Sequence, residues 1–209
     1  QFTGQLDGLS FYTLNGKIVV RKTGGFNGKK IKQDPNFVRV RENGSEFGHC
    51  SRLGRYFRNS FSSYLKPLQI PYVHNRVVRL FKEISVLDTI HPRGQRTVWS
   101  GLQSEDATRI IAAFEFDNDR SLSSLFPFDL RLNLDEGRLT VMHFNAAHLP
   151  PVKGATHVQL QYVQVGLDFE QQLPSIQHCS ALQTLSLDDS TPMNLEFSCS
   201  VPASPQVFG

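Results

Sequence analysis

The strongest constraint on the fold is a strict alternation of apolar and polar residues that begins after residue 127. The alternating apolar residues are Phe128, Leu130, Leu132 and Leu134. Successive side chains of a β-strand point to opposite faces, so this period of two is typical of a strand with one buried face. Asp135-Glu136-Gly137 predicts a turn, and residues 139–144 resume the pattern, so the sequence predicts a β-hairpin here.

Further short strands are predicted along the same part of the chain. They are residues 110–116, 157–169, 182–187 and 193–201, with a start of another at Val207-Phe208. Asp117-Asn118-Asp119 is predicted as the turn after the first of them. At least six short strands at this spacing predict an antiparallel β-sandwich of immunoglobulin-like size.

The N-terminal residues predict a β-hairpin as well. Asn15-Gly16 separates two β-rich runs, residues 8–14 and 17–22, and suits a type I′ turn because both central residues need a positive φ. Residues 23–30 are predicted as a basic loop. Asp34-Pro35 then predicts a helix start, with aspartate as the N-cap and proline in the first turn.

Two helices are predicted between this loop and residue 90. The first carries apolar and small residues at three- and four-residue steps from Phe37 to Leu65 and is predicted to end at Pro67. It contains Gly44, Gly48 and Gly54, which predict either close approach by a neighbouring backbone or a break. The second helix is predicted over residues 71–90. A short connection between the two favours an antiparallel pair.

These patterns predict an α+β fold with two parts. Residues 1–98 form a hairpin and a two-helix section, and residues 99–209 form the β-sandwich, expected to be truncated at its C-terminus. The 39% apolar content is enough for a buried core. No apolar run is long enough for a membrane span. The absence of a visible leader favours the cytoplasm, but the sequence starts with Gln1 rather than Met, so its start is expected to be trimmed and the compartment stays open.

The net charge of +3 is divided unevenly between the two parts. Residues 1–98 carry 17 Lys+Arg against 6 Asp+Glu, a net +11, whereas residues 99–209 carry 5 against 13, a net −8. The basic residues concentrate from Lys17 to Arg58. A solvated basic face, an intramolecular salt-bridge seam and an anionic partner are all consistent with this asymmetry.

The candidate interaction residues follow from this division. The basic candidates are Lys29, Lys30, Arg39, Arg41, Arg52, Arg55 and Arg58. The acidic candidates on a neighbouring subunit are Asp117, Asp119, Asp135 and Glu136. We expect opposite potentials of this kind to orient two partners and to speed their association.

The sequence offers little that indicates a reaction or a bound metal. Gly24, Gly28 and Lys29 depart from the spacing of a phosphate-binding loop, so a basic surface loop is the better interpretation. The late histidines, at positions 143, 148, 157 and 178, lack ligand spacing for zinc, and Glu115 with the following aspartates lacks the rest of a calcium loop. Cys50, Cys179 and Cys199 make no disulfide framework. We therefore expect no catalytic residue, no metal site and no cofactor.

Several segments resemble a family of uncharacterised bacterial proteins that is abundant in Bacteroidetes. The segments are Gly8-Leu9-Ser10-Phe11-Tyr12, Val20-Arg21-Lys22, Arg41-Glu42-Asn43, Glu46-Phe47-Gly48, Phe114-Glu115-Phe116 and Gly154-Ala155-Thr156-His157. Members of that family carry a short leader before the hairpin and a further strand pair at the end. The resemblance implies no activity.

A non-enzymatic structural or interaction protein, acting as a subunit of a larger homo-oligomeric assembly, is the function that we expect. Its partners are then other copies of itself or other proteins of the assembly. The alternative is a nucleic-acid-binding protein that uses the basic residues between Lys17 and Arg58, because aromatic side chains such as Tyr12 and Tyr56 interleave with them.

Overall fold

The computed structural model describes residues 3–22, 28–173 and 175–199. Residues up to Ser45, together with Arg93–Gln95, form one compact unit, and residues Glu46–Pro92 with those from Arg96 onward form the other. The order of elements confirms the predicted α+β class: an N-terminal antiparallel sheet, a helical section and C-terminal antiparallel sheets. The change of charge after residue 98 does not coincide with the division between the units.

The N-terminal sheet contains the predicted hairpin and one additional strand. Its strands are β1 (Gly4–Leu6), β2 (Leu9–Leu14) and β3 (Lys17–Lys22), and β2 lies in the middle. Asn15 and Gly16 have φ values of 51° and 75°, which confirms the predicted turn. Asp7 and Gly8, with φ values of 46° and 75°, form a second turn of the same kind. This dipeptide is the sequence feature from which the additional strand β1 could have been predicted.

Seven helices occur in the described residues. They are α1 (Gly28–Gln33), α2 (Val38–Ser60), α3 (Ser62–Leu68), α4 (Val73–Val86), α5 (Val98–Leu102), α6 (Glu105–Ala112) and α7 (Leu122–Leu125), with short 3₁₀ turns at Pro35–Phe37 and Ala146–His148. The predicted cap is confirmed, because Asp34 Oδ1 accepts a hydrogen bond from the Asn36 backbone N–H at 2.9 Å. Residues 23–27 of the predicted basic loop lie outside the described residues, and its last residues begin α1.

Two predictions in the helical part of the chain, one of a helix and one of a strand, were wrong. The first long helix ends at Ser60, because Phe61 leaves helical geometry at φ −110° and ψ 12°, whereas Pro67 lies inside α3. Residues 110–116 do not form a strand, and most of the segment before Phe114 belongs to α6. Ser104 caps this helix by accepting a hydrogen bond from the Asp106 N–H, and the three-residue step from Ala107 to Ile110 faces the core.

The helices pack around one hydrophobic core in the larger unit. Its buried residues are Cys50, Leu53, Val77, Val78, Leu80, Phe81, Ile84, Val98 and Ala107. At Gly54 the predicted close approach involves side chains and not a neighbouring backbone, since a Cβ would lie 3.4 Å from Val77 Cγ1. It is wrong at Gly44, where a Cβ would meet nothing within 4 Å, and at Gly48, where only an arginine side chain is near.

The C-terminal strands form three antiparallel sheets. The strands are β4 (Asp129–Asn133), β5 (Arg138–Phe144), β6 (His157–Leu160), β7 (Val163–Gly166), β8 (Ile176–Cys179), β9 (Gln183–Ser186) and β10 (Met193–Ser198). They pair in the orders β10-β5-β4, β6-β9 and β7-β8. The predicted strand over 157–169 is divided into β6 and β7, and β8 was not predicted. The predicted strand start at Val207-Phe208 lies outside the described residues.

A second hydrophobic core lies between two of these sheets. Val141, Phe144, Leu195 and Phe197 of β5 and β10 are buried, and Val158, Leu160 and Leu185 of β6 and β9 pack against them. The β-structure occupies less of the chain than residues 99–209, because residues up to 125 contribute helices α5, α6 and α7.

Candidate interaction surfaces

Four of the predicted basic residues lie in the smaller unit. Lys29 and Lys30 are exposed on α1, and Arg39 is exposed at the start of α2. Arg39 Nη1 lies 2.9 Å from Glu42 Oε2, so part of its charge is balanced locally. Arg41 is half-buried, and its Nη1 donates to the carbonyl oxygens of Ile31 and Asp34 at 2.6 and 3.0 Å. This arginine therefore stabilises the connection from α1 to α2.

The other three basic residues, Arg52, Arg55 and Arg58, lie on the part of α2 that belongs to the larger unit. Arg52 and Arg55 are exposed, whereas Arg58 is half-buried. Arg58 Nε donates to the Gly54 carbonyl of its own helix at 3.2 Å. Burial and, to a smaller extent, the charge of Arg52 lower the pKa of neighbouring His49. Their role toward a partner stays a prediction.

The four predicted acidic residues lie in two turns of the larger unit. Asp117 Oδ1 accepts a hydrogen bond from the Asp119 N–H at 3.1 Å, in the turn after α6. Asp135 and Glu136 are exposed in the turn between β4 and β5. Glu136 Oε2 also lies 3.3 Å from Arg138 Nη1, an exposed pair of small energetic value. Both turns leave carboxylates accessible to a partner.

The N-terminal sheet has an apolar face that its own unit does not bury. Strand register places the large apolar residues Leu6, Leu9, Phe11, Ile18 and Val20 on the same face. Leu6, Ile18 and Val20 are 66%, 61% and 51% exposed. No described residue between 3 and 45 is buried, so this sheet has no core of its own. Sequence reasoning identified the hairpin but not this uncovered face.

The opposite face of the same sheet is more polar and basic. Tyr12 lies on this face, where it pairs with Val19, and Lys17 and Arg21 occupy the alternate positions of β3 on either side of Val19. All except half-buried Val19 are exposed. Arginine and lysine beside an aromatic ring form a surface that suits anionic partners, including nucleic acid.

Strand β4 presents a second uncovered apolar surface, at the edge of its sheet. All five of its residues are exposed, and Leu132 and the following Leu134 are 54% and 57% exposed. Leu130 lines a groove of about 370 Å³ whose walls also include Leu122, Leu125 and Phe126, and none of the described residues that line it is charged. Asp135 and Glu136 follow directly. The exposed apolar residues Leu130, Leu132 and Leu134 are therefore followed by two acidic residues, in the part of the chain that carries the net negative charge.

A buried polar cluster between α2, α4 and α5 was missed by sequence reasoning. Glu46 is 2% exposed and pairs with Lys82 Nζ. Cys50 Sγ lies 3.7 Å from Ser85 Oγ, which donates to the Lys82 carbonyl at 2.9 Å. The Val98 N–H donates to His49 Nε2 at 3.1 Å. Each of these contacts joins one helix to another or satisfies a backbone group, so the cluster is structural.

Asp88 is the most heavily hydrogen-bonded carboxylate of this region. Its Oδ1 accepts from the backbone N–H groups of Ile90 and His91 at 2.9 and 3.1 Å, and its Oδ2 accepts from the Thr97 N–H at 2.8 Å. Oδ2 also lies 2.8 Å from His91 Nδ1. Burial by itself raises the pKa of Asp88, but these hydrogen bonds outweigh it and hold that pKa well below its usual range.

The three cysteines differ in accessibility, which gives a direct chemical test of the fold. Cys50 and Cys199 are buried, and burial raises the pKa of both thiols, whereas Cys179 is exposed. Since the thiolate is the reactive form, we expect a disulfide reagent such as 5,5′-dithiobis(2-nitrobenzoate) to titrate one thiol quickly in the native protein. The fast phase should disappear in Cys179→Ser and persist in Cys50→Ser; two fast thiols would contradict the burial of Cys50 or Cys199.

The residues considered for metals and phosphate do not form a site in the described structure. Among the described residues, no group of three or more His, Cys, Asp or Glu side chains is placed to hold a metal ion. Gly24 of the predicted loop lies outside the described residues, and Gly28 and Lys29 belong to α1. Across the described ranges, no helix is both long and apolar enough to cross a membrane.

Comparison with known proteins identifies no relative. No family model matches the chain, and neither a curated protein nor a solved structure matches it. Membership of the Bacteroidetes family therefore stays a prediction from the short segments quoted above. The two uncovered apolar surfaces and the charge distribution are the observations from which a function is inferred.

Proposed function

We propose that the chain is a non-enzymatic subunit of a larger assembly and that it associates with copies of itself through its basic N-terminal part. The observation that carries this proposal is the uncovered apolar face of the N-terminal sheet. Ile18 and Val20 are more than half exposed, although they lie in the interior of a strand. A small sheet needs its apolar face packed against something for stability, and exposed apolar patches commonly mark protein interfaces.

A second copy suits this surface because the chain carries both complementary charges. The N-terminal part has a net charge of +11 and the C-terminal part −8. Lys17, Arg21 and Lys22 flank the apolar residues of β3, and Asp135 and Glu136 follow the apolar residues of β4. An interface with an apolar centre and opposite charges around it is the usual arrangement of specific association. Because each copy carries both the basic surface and the acidic surface, the same contact can repeat from one copy to the next.

The test is the solution mass of the protein over a range of concentrations. We expect the wild-type chain to form multi-chain species and the double variant Ile18→Asp/Val20→Asp to be at least tenfold weaker in association. Fully burying one aliphatic side chain stabilises by about 1.5–3 kcal/mol, so two losses exceed the 1.4 kcal/mol that corresponds to tenfold.

The matched control is Leu182→Asp, since Leu182 is also about half exposed (53%) and lies outside the N-terminal sheet. It should leave the mass distribution unchanged. A wild-type protein that stays a single chain at every concentration would contradict the proposal, as would equal weakening by the control.

Nucleic-acid binding is the second candidate, and the polar face of the N-terminal sheet favours it. Tyr12, Lys17 and Arg21 share that face, which combines a stacking surface with two cations. A single-chain protein that binds single-stranded RNA or DNA with a steep salt dependence would support this candidate over self-association. Lys17→Ala and Arg21→Ala should then each reduce the salt slope by about one.

A further inference from the structure

We infer that the contact between copies is a strand pair, in which β3 of one copy adds to the open edge of β4 of the next. The inference rests on the proposed self-association and names the surfaces that carry it. Among the described residues, β3 is an edge of the sheet β1-β2-β3, and β4 is an edge of the sheet β10-β5-β4. Edge strands present unpaired backbone groups on one side, and a second strand can bind there.

The two edges match in their apolar residues. Ile18 and Val20 lie on the apolar face of the N-terminal sheet, and Leu130 and Leu132 lie on the face of β4 whose neighbours on β5 are Val141 and Leu139. An antiparallel register with Ile18 opposite Leu132 and Val20 opposite Leu130 joins these faces into one surface. Register is set by such apolar patterns, since a shift of one residue would turn every side chain to the wrong face.

The same register also matches the charges. It places Arg21 of one copy opposite Asp129 of the other, and Lys17 beside Asn133, two residues from Asp135. A shift by two residues in one direction would put Arg21 opposite Arg131 instead, and like charges directly opposite are destabilising. The six strand pairs formed by the described residues are all antiparallel, so the proposed pair follows the pairing mode of the chain.

Pairing of β3 with β3 of another copy, or of β4 with β4 of another copy, is less favourable. Two β3 strands in the antiparallel register that pairs Ile18 with Val20 place Lys17 opposite Arg21, and two β4 strands in the register that pairs Leu130 with Leu132 place Arg131 opposite Arg131. Both arrangements bring cations together, whereas the mixed pair brings arginine to aspartate. A contact between two different surfaces does not close on itself in a dimer, so repeated contacts build a ring or a filament.

The apolar groove beside β4 provides additional buried surface for the incoming strand. Leu130 is part of this groove, and Leu122 and Leu125 on α7 remain 51% and 43% exposed at it. The apolar face of the incoming sheet would continue the groove wall beyond Leu132. Because the groove is lined by uncharged side chains in the part of the chain that the structure describes, an apolar strand face is the chemistry that it accepts.

The test is a mixing experiment with two variants that block opposite sides of the contact. Ile18→Asp damages the added strand and leaves β4 intact, whereas Leu132→Asp damages the receiving edge and leaves β3 intact. Both side chains are more than half exposed, so both variants should retain the wild-type unfolding midpoint. We expect each variant alone to associate at least tenfold more weakly than wild type and an equimolar mixture to form a two-chain species.

Charge exchange provides a second measurement that does not depend on apolar burial. Arg21→Asp alone should weaken association several-fold, and Arg21→Asp/Asp129→Arg in one chain should restore it. Lys153→Asp, at an exposed loop position, is the control for the change in net charge.

The outcomes separate this inference from the proposed function. A wild-type protein that forms no multi-chain species would contradict both the strand pair and the proposed self-association. Oligomers that Ile18→Asp dissolves and Leu132→Asp leaves intact would overturn the strand pair and keep self-association. A mixture that contains only single chains, or a charge exchange without restoration, would also overturn the strand pair.

Discussion

Replacing Asp88 with asparagine is expected to lower the free energy of unfolding by about 3 kcal/mol, because buried hydrogen bonds to a charged group are worth roughly 1.5–3 kcal/mol each. The Asp88 side chain is fully buried, and its two oxygens accept from three backbone N–H groups and face His91 Nδ1. An amide presents an NH₂ group where one acceptor oxygen stood. Urea unfolding at pH 7, followed by far-ultraviolet circular dichroism, measures the difference.

The same carboxylate predicts how stability depends on pH. The pKa of Asp88 is lower in the folded protein than in the unfolded chain, so its stabilising effect is complete above the unfolded value of about 4 and decreases as the pH falls below it. The wild-type protein should therefore lose more stability between pH 5 and pH 3 than Asp88→Asn does. Equal losses would contradict an ionised Asp88 in the folded state.

Asp106→Asn is the matched control for Asp88. Asp106 pairs with Arg109 at 3.0 Å, but both side chains are largely exposed. Exposed pairs of this kind contribute about 0.2–1 kcal/mol, so the control should change the urea midpoint little. A control effect as large as that of Asp88→Asn would show that burial is not the cause.

Replacing Gly101 with alanine is expected to destabilise the helical core by about 2–3 kcal/mol, the usual range for overpacking. A Cβ at Gly101 would overlap the Ile84 carbonyl oxygen and would lie 2.9 Å from its carbonyl carbon. Since the obstacle is backbone, α5 would have to move away from α4. Thermal unfolding measures the loss as a lower midpoint.

The control for Gly101 is the same substitution at Gly44, and it should have the opposite sign. Gly44 lies in the interior of α2, and a Cβ there would meet nothing within 4 Å. Alanine in a helix interior is favoured over glycine by about 1 kcal/mol, so Gly44→Ala should raise the midpoint. A destabilising Gly44→Ala together with a neutral Gly101→Ala would contradict the helix contacts described above.

The parts of the fold that follow local chemical rules could be predicted from the sequence. The Asn15-Gly16 turn, the Asp34 cap and the hairpin of β4 and β5 depend on neighbouring residues alone. Residues 110–116 were misread because isoleucine and phenylalanine favour strands, whereas the Ser104 cap and burial of one side of α6 make residues 110–112 helical.

Little of the candidate surface could be predicted, because the exposure of a side chain depends on which other elements of the fold pack against it. Charge counting selected Arg41, yet this arginine bonds to the carbonyls of Ile31 and Asp34. Alternation identified Leu130, Leu132 and Leu134 as one side of a strand, but a pattern that usually marks a buried face here marks an exposed one. The edge positions of β3 and β4 follow from pairing order, which composition does not contain.

The order of strands in the β10-β5-β4 sheet also affects how the chain folds during synthesis. Strand β5 is central, but one of its neighbours, β10, follows more than 45 residues later. Buried Leu195 and Phe197 belong to that late strand, so a nascent chain exposes Val141 and Phe144 until β10 has left the ribosome. The N-terminal sheet, built from local contacts, can form long before. We therefore expect the C-terminal core to be the slow and aggregation-prone step of biogenesis, and the one most dependent on chaperones.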